Sequence, residues 1–246
     1  GNANFLSAFL GMSSIAMFVK LFEKSDLWKK ILFSLLIIVN QLIVIISGSI
    51  QGFLIFVAGI GVAGFFILRK FTKSTSLMLS YKLLAFLGLV SAILGIFNRG
   101  PLAKIIFQPS VIYRADYMHA GLKMTLLKPL TGVGLDSYGD WYRQVRGLIS
   151  TLRTSPERTA NTAHNIFLDI SSNGGFPLFI FYLFLITIAI KSTIDYVRIK
   201  GTSDLTFIAI FSVWIAYQVQ SVISINQIGL GIWGWLLTGS LIGFGQ

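Results

Sequence analysis

The sequence predicts an all-α, polytopic transmembrane helical bundle of about seven spans, with a long external segment that contains amphipathic helices. Three observations lead there. Hydrophobic residues make up 54% of the 246 and charged residues 12%. That is about half the charged share of ordinary soluble domains, too little to cover a water-facing surface. The apolar residues gather in stretches close to the ~20 residues that cross a bilayer core, and the mean hydropathy is +0.78. The period-2 alternation of a lipid-facing barrel is not found. A soluble domain and a disordered tail are excluded. With no cysteine, disulfides, thiolate metal sites and cysteine nucleophiles are excluded too.

The spans expected from hydropathy are 4–22, 31–48, 52–68, 83–97, 175–193, 205–225 and 228–244, the third and fourth being short. The organisation expected is four spans within 1–97, an external segment over 98–174 and three spans within 175–246, all in one integrated membrane domain. The chain starts at Gly1 rather than Met and carries no basic-then-apolar signal peptide, so it is expected to lack its natural N-terminus.

The net charge is +11. In a soluble chain such a balance suggests nucleic acid. Here the lysines and arginines follow the loops, and no nucleic-acid partner is expected. Lys20, Lys24, Lys29 and Lys30 follow span one. Arg69, Lys70, Lys73 and Lys82 lie between spans three and four, and Lys191, Arg198 and Lys200 between spans five and six. With seven spans these three loops share one side, which the positive-inside rule makes cytoplasmic. The 98–174 segment is then outside.

That segment is ~75 residues long, well beyond an ordinary connection. It carries Arg99, Lys104, Arg114, Lys123, Lys128, Arg143, Arg146, Arg153 and Arg158 against five acids. Long external loops escape the positive-inside rule, and a basic surface beside a membrane suits a phosphate-bearing or acidic substrate. The segment is expected to lack a core of its own. Residues 110–128 read as an amphipathic helix. Asp116, His119 and Lys123 form its polar stripe, Tyr113, Tyr117, Gly121 and Met124 part of its apolar face, and Arg114 lies off the polar stripe. P-L-T-G-V-G at 129–134 reads as a turn, 150–163 as an exposed polar loop or mobile arm, and Asn161 or Thr162 as the cap of the helix after His164.

Several side chains are candidates for chemistry. His164, in A-H-N just before a span, suits a general base because imidazole titrates near neutrality; the plainer reading is a helix-entry residue bonded to backbone. Arg114 is a planar fork suited to a pyrophosphate or an interfacial arginine that snorkels. Arg143, Arg146, Arg153 and Arg158 offer phosphate or acidic-sugar contacts, or a solvated loop. Asp136 and Asp140 would share a face if helical, more in keeping with a salt-bridge array with Arg143 and Arg146 than with a metal site. Asp169, five residues after His164, is off its face on a regular helix and is a weak candidate to orient the imidazole. Gly132 and Gly134 read as turn glycines, and Gly174, Gly175 and Pro177 as a helix entry. Asn40 and Gln41 inside span two read as amides bonded across helices, and Trp233 and Trp235 as packing or interfacial anchors. No charged residue sits in the middle of a span, which weighs against ion-coupled transport.

G-V-G-L-D-S-Y at 132–138, A-H-N-x-F-L-D at 163–169, Gly174–Gly175, the opening G-N-A-N-F-L-S-A-F-L, and Arg114 ahead of the 129–134 turn together resemble the O-antigen ligase and O-antigen polymerase superfamily of bacterial membrane glycosyltransferases. The resemblance runs across essentially the whole chain and implies that further spans precede it, so that it is the C-terminal part of a longer protein. The sequence departs from it at Ile50 and Gln51, where the family tends to carry an arginine; Arg99, Lys104 or the 143–158 arginines are candidates to replace it. The resemblance implies a metal-independent glycosyltransferase with no cofactor, active at the outer face of the cytoplasmic membrane. It implies a polyprenyl-diphosphate-linked glycan as donor and a glycan, lipid or protein as acceptor. His164 and Arg114 would be catalytic, and Arg143, Arg146, Arg153, Arg158 and Asn165 substrate-binding. Two other classes compete: a transporter of a lipid-linked oligosaccharide or small molecule, and a non-catalytic envelope-assembly scaffold.

Overall fold

The computed structural model describes residues 2–246; Gly1 of the opening G-N-A-N stretch lies outside them. The described residues form helices and connections with no strand. In chain order these are α1 (Ala3–Lys20), α2 (Leu27–Ile46), α3 (Ile50–Phe71), α4 (Thr75–Ile96), α5 (Ala103–Ile106), α6 (Pro109–Leu127), α7 (Tyr138–Val145), α8 (Leu148–Thr154), α9 (Ile166–Lys200), α10 (Leu205–Ile223) and α11 (Ile228–Phe244).

Seven of these helices correspond to the seven expected spans. Six are long and apolar enough to cross a bilayer; α11 is apolar but has 17 residues, about 26 Å of helix. The third and fourth are longer than hydropathy suggested, at 22 residues each. Arg69 and Lys70 continue α3 and Thr75–Lys82 opens α4, because polar side chains at a helix end can reach the interface while their backbone stays helical. The outer faces of α2 and α4 carry large exposed apolar side chains such as Leu35, Ile38, Leu42, Leu84, Phe86 and Leu89. Water-soluble monomers rarely expose apolar side chains in such numbers on one helix face.

The chain divides into two compact units, one comprising residues up to Leu87, 186–220 and 227–246, the other 88–185 and 221–226. In the first, α1 crosses α3 where small residues meet. A side chain on Gly11 would run into the Gly52 carbonyl at 2.7 Å, and one on Gly52 would strike Ser7. Close approach of this kind is the usual basis of helix association in lipid, where burial against a partner gains little over burial against acyl chains. Polar groups complete the contact. Ser7 Oγ donates to Ser49 Oγ at 2.9 Å, and Ser49 Oγ to Asn4 Oδ1 at 2.7 Å. Asn40 donates to Ser13 and Ser14, and Gln41 to Ser14, the cross-helix bonding expected of them. Gln51, where the family resemblance leads one to expect arginine, is buried and bonded to the buried Gln220. Trp233 rests beside Phe9.

The basic loops meet at one end of this unit. Lys70 Nζ donates to the Ser203 carbonyl at 2.7 Å, and Phe22 lies against Phe71. Asn4 and Ser49 meet at the other.

The second unit holds the segment between α4 and α9. Contrary to expectation this segment has a core: Ala120, Met124, Tyr138, Tyr142, Ala160 and Ala163 are buried together. Gly121 and Ala120 leave a flat patch on α6 against which Tyr138 lies, and its hydroxyl donates to the Tyr117 carbonyl at 2.6 Å. Tyrosine supplies apolar area while its hydroxyl finds a partner. The polar 150–163 stretch is part helix, since α8 takes up 148–154. Its hydroxyls bond back to the preceding turn, Thr154 Oγ1 to the Ser150 carbonyl at 2.9 Å, and Ser150 also meets Tyr142 Oη. Asp136 has φ +58 and precedes α7, so it does not share a helical face with Asp140. Among the described residues no ion pair joins these acids to Arg143 or Arg146, and the expected salt-bridge array is not formed.

α9 starts nine residues before the expected span and is broken at Gly175 (φ 69, ψ −175). The break exchanges hydrogen bonds with the 129–134 turn. Phe176 N–H, which a regular helix would direct to Ser172, donates instead to the Pro129 carbonyl at 2.7 Å. The released Ser172 carbonyl accepts from Val133 N–H at 2.8 Å. Pro177 has no N–H for Asn173, whose carbonyl accepts from Gly134 N–H at 3.1 Å. The two glycine motifs thus form one backbone splice. Gly175 occupies a backbone region essentially restricted to glycine, where other residues cost roughly 1–3 kcal/mol. A Cβ there would also meet the Pro129 carbonyl oxygen at 2.7 Å. We expect Gly175→Ala to lower the thermal unfolding midpoint in detergent by several degrees, while Gly61→Ala, whose Cβ meets nothing within 4 Å, leaves it unchanged or raised.

Candidate functional site

His164 sits in the loop that enters α9, with φ +54. An L-residue there is uncommon and is held by its surroundings. Thr162 Oγ1 accepts from the His164 N–H at 3.3 Å. Asn165 is the cap of α9, in place of the expected Asn161 or Thr162. Its Oδ1 accepts from Leu168 N–H at 3.1 Å, and its Nδ2 donates to the Val222 carbonyl at 3.0 Å. An Asn side chain suits this role because its short amide reaches the orphan N–H groups of the first turn.

The imidazole lies against Tyr117 of α6, ring centroids 5.2 Å apart and planes 32° from parallel. Tyr117 in turn meets Tyr142 edge to face at 5.6 Å. Arg114, one turn before Tyr117 on α6, is half-buried, and its burial lowers the guanidinium from its ordinary value; arginine nonetheless remains charged in proteins. Burial first, and the Arg114 charge second, press the His164 pKa down from 6.5 to about 4. His164 is therefore a neutral imidazole across the physiological range, with a nitrogen lone pair to accept a proton. Burial pushes the Tyr117 phenol up, and the Arg158 charge opposes that shift. Arg158 lies over the Tyr113 ring at 5.7 Å.

Among the residues read from the sequence, Arg114 and His164 lie near enough for the Arg114 charge to act on the imidazole, and Arg158 is linked to them through Tyr113 and Tyr117. Arg146 holds the loop that carries Arg158. Its guanidinium donates to the carbonyls of Pro156 at 2.5 Å and Arg158 at 2.6 Å and lies over Tyr142. Arg153 is paired with Asp116 at 2.7 Å. Arg143 is exposed on α7, and Asn165 bonds backbone with both ends of its amide. Sequence reasoning left Tyr113 and Tyr117 on an apolar face. The signal for their role was their spacing: aromatic rings four apart that bracket Arg114 on the same helical side. Among the described residues no three His, Asp or Glu side chains are grouped to hold a metal.

The sequence model of the family described as O-antigen ligase matches residues 31–183, well over half of the chain. The chain belongs to the O-antigen ligase family. The matched stretch carries the whole constellation: Arg114, the 129–134 turn, His164 and the α9 break. No curated protein matches the chain. At the family level, membership assigns O-antigen ligase-type glycan transfer in a membrane, a glycosyltransferase-like activity on a lipid-linked glycan, to a multi-pass bacterial membrane protein.

The depressed His164 pKa has a consequence for stability. The unfolded chain takes up the proton at the ordinary value of 6.5, the folded one at about 4, so between those values the unfolded state binds more protons. The stability tied to the neutral imidazole is complete above pH 6.5 and is lost as pH falls toward 4. Melting curves from pH 7.5 to 4 are expected to be steeper in pH for the wild type than for His164→Gln.

Proposed function

We propose that this O-antigen ligase family member transfers a glycan from a polyprenyl-diphosphate carrier to an acceptor hydroxyl, with His164 as general base and Arg114 as the diphosphate ligand. The observation that carries this reading is the half-buried imidazole of His164 set against the Tyr117 ring, one turn from Arg114 on α6. The acceptor oxygen attacks the anomeric carbon and forms the new glycosidic bond as the bond to the diphosphate oxygen breaks. Polyprenyl diphosphate leaves with the electron pair, and the hydroxyl proton passes to the imidazole. Negative charge grows on the leaving diphosphate, where a guanidinium fork in a half-buried setting stabilises it more strongly than water does. Direct displacement inverts the anomeric centre. Diphosphate is a good leaving group, so no strong general acid and no metal is called for.

An apo pKa near 4 suits this role because the bound diphosphate changes it. Arg114 lowers proton affinity at His164 in the free enzyme, and a dianionic or trianionic ligand cancels that charge and favours the imidazolium. The base thus strengthens when the donor is in place. Arg158 beside Tyr113 is the second cation toward the donor, in the place of the arginine missing at Ile50–Gln51, and Arg143 and Arg153 extend the basic surface for glycan phosphates or acidic sugars. The connection between α4 and α9 is external, with 1–97 and 175–246 as membrane parts on either side of it. The positive-inside rule then puts the active face outside the cytoplasmic membrane. The acceptor is a glycan, a lipid or a protein.

The test is release of polyprenyl diphosphate from a polyprenyl-diphosphate oligosaccharide by the purified protein. His164→Ala is expected to lower the rate by about 10²–10⁴-fold with the fold retained. Arg114→Ala is expected to lower it at least ~10²-fold, and Arg114→Lys to recover part of that. Donor binding without release in the wild type contradicts the reading and favours transport or scaffolding. Undiminished release by His164→Ala removes His164 from the chemistry.

A further inference from the structure

Asp169 is buried, 9% exposed, and among the described residues no lysine, arginine or histidine is ion-paired with it. A carboxylate in such a place is costly unless it is well bonded. Its Oδ1 accepts the Ala163 N–H at 2.5 Å, across the sharp bend between the 155–163 loop and α9. It lies in the first turn of α9, where the helix dipole favours a negative charge. Its own carbonyl receives Asn173 Nδ2 at 2.8 Å and Ser172 Oγ at 3.2 Å. Ser172 and Asn173 are the residues whose carbonyls accept from the 129–134 turn. Ala163 is the residue before His164, whose φ of +54 is sparsely populated and persists only where neighbours over-determine it.

We propose that Asp169 is a positioning residue for His164. It never touches the imidazole; it holds the Ala163 N–H and so fixes the left-handed backbone that turns the His164 ring onto Tyr117 beside Arg114. The inference rests on the glycosyl-transfer reading for its effect on rate, but the geometric part stands independently. A continuous chain of contacts runs from the α9 break through Asn173 and Ser172 to Asp169, then through Ala163 to His164. The bond asks for an acceptor oxygen and not for a charge. Asparagine meets that requirement and leucine, of similar size, does not.

The experiment uses the full chain in detergent with His119→Gln, which leaves His164 as its one histidine. Imidazole NMR titration and donor-dependent release of polyprenyl diphosphate are measured for Asp169, Asp169→Leu and Asp169→Asn. In Asp169→Leu the His164 transition is expected to move up from about 4 toward 6.5 as the ring leaves its place. kcat is expected to fall about 10- to 100-fold with donor KM within about twofold. Asp169→Asn restores both, with kcat within about threefold of wild type. An unchanged titration and kcat in a folded Asp169→Leu overturn the proposal, as does a folded Asp169→Asn as impaired as Asp169→Leu. If Asp169→Leu does not fold, Asp169→Asn decides alone: wild-type titration and rate support the inference, and a tenfold loss in the folded protein overturns it. If the wild type releases nothing, the glycosyl-transfer reading fails while the titration arm still tests the positioning role.

Discussion

The backbone splice between the 129–134 turn and the α9 break is the constraint on which the rest of the site depends. A helix that opens at Gly175 sets free carbonyls at Ser172 and Asn173 and an N–H at Phe176. In or near a membrane such groups must find partners within the protein. Here they exchange bonds with Pro129, Val133 and Gly134, so one irregular backbone answers the other. Glycine is required where the chains touch. A Cβ on Gly132 would collide with Asn173, and one on Gly175 with Leu130 and the Pro129 carbonyl. Because α6 runs directly into this turn, the splice ties the C-terminal end of the helix that carries Arg114 and Tyr117 to the early part of the helix that His164 precedes. Two side chains fifty residues apart in sequence thereby share a site.

Burial and a neighbouring positive charge act on His164 in the same direction, and both favour the neutral ring. The same burial strengthens every interaction that the arginines make with an incoming anion. On the proposed function, such a site is neutral when empty and becomes more basic when a diphosphate binds. The tyrosines are part of that balance: Tyr117 carries the imidazole on its face, and Tyr113 faces the Arg158 guanidinium. They give the imidazole and the guanidinium flat apolar walls.

Much of the fold was legible because hydropathy and charge report on the bilayer directly. Runs such as 31–48 and 205–225 have one physical explanation, and the α6 helix was readable from Asp116, His119 and Lys123 at helical spacing. What escaped has a common cause: polar residues whose partners are distant in sequence. Asp169, Ser171, Ser172 and Asn173 interrupt the apolar run, so α9 read as starting at 175. In the fold they bond Ala163, Thr125 and the surrounding backbone. Ser150 and Thr154 read as loop and are helical because Tyr142 and the preceding turn satisfy their hydroxyls. Within the candidate site, His164 and Arg114 were readable as candidates from residue type and order. The difference between Arg158, set against Tyr113, and Arg146, bonded to loop carbonyls, was not, since all four arginines look alike until the loop has a shape.

The central claim is that His164 and Arg114 act as one unit on a diphosphate. The direct measurement is the imidazole titration of His164, in protein carrying His119→Gln, with and without saturating polyprenyl diphosphate. The account predicts a transition near pH 4 in the free protein that moves up toward neutrality when the diphosphate binds. A transition that stays in place at saturation would contradict it, because the anion would then lie away from the Arg114–His164 pair.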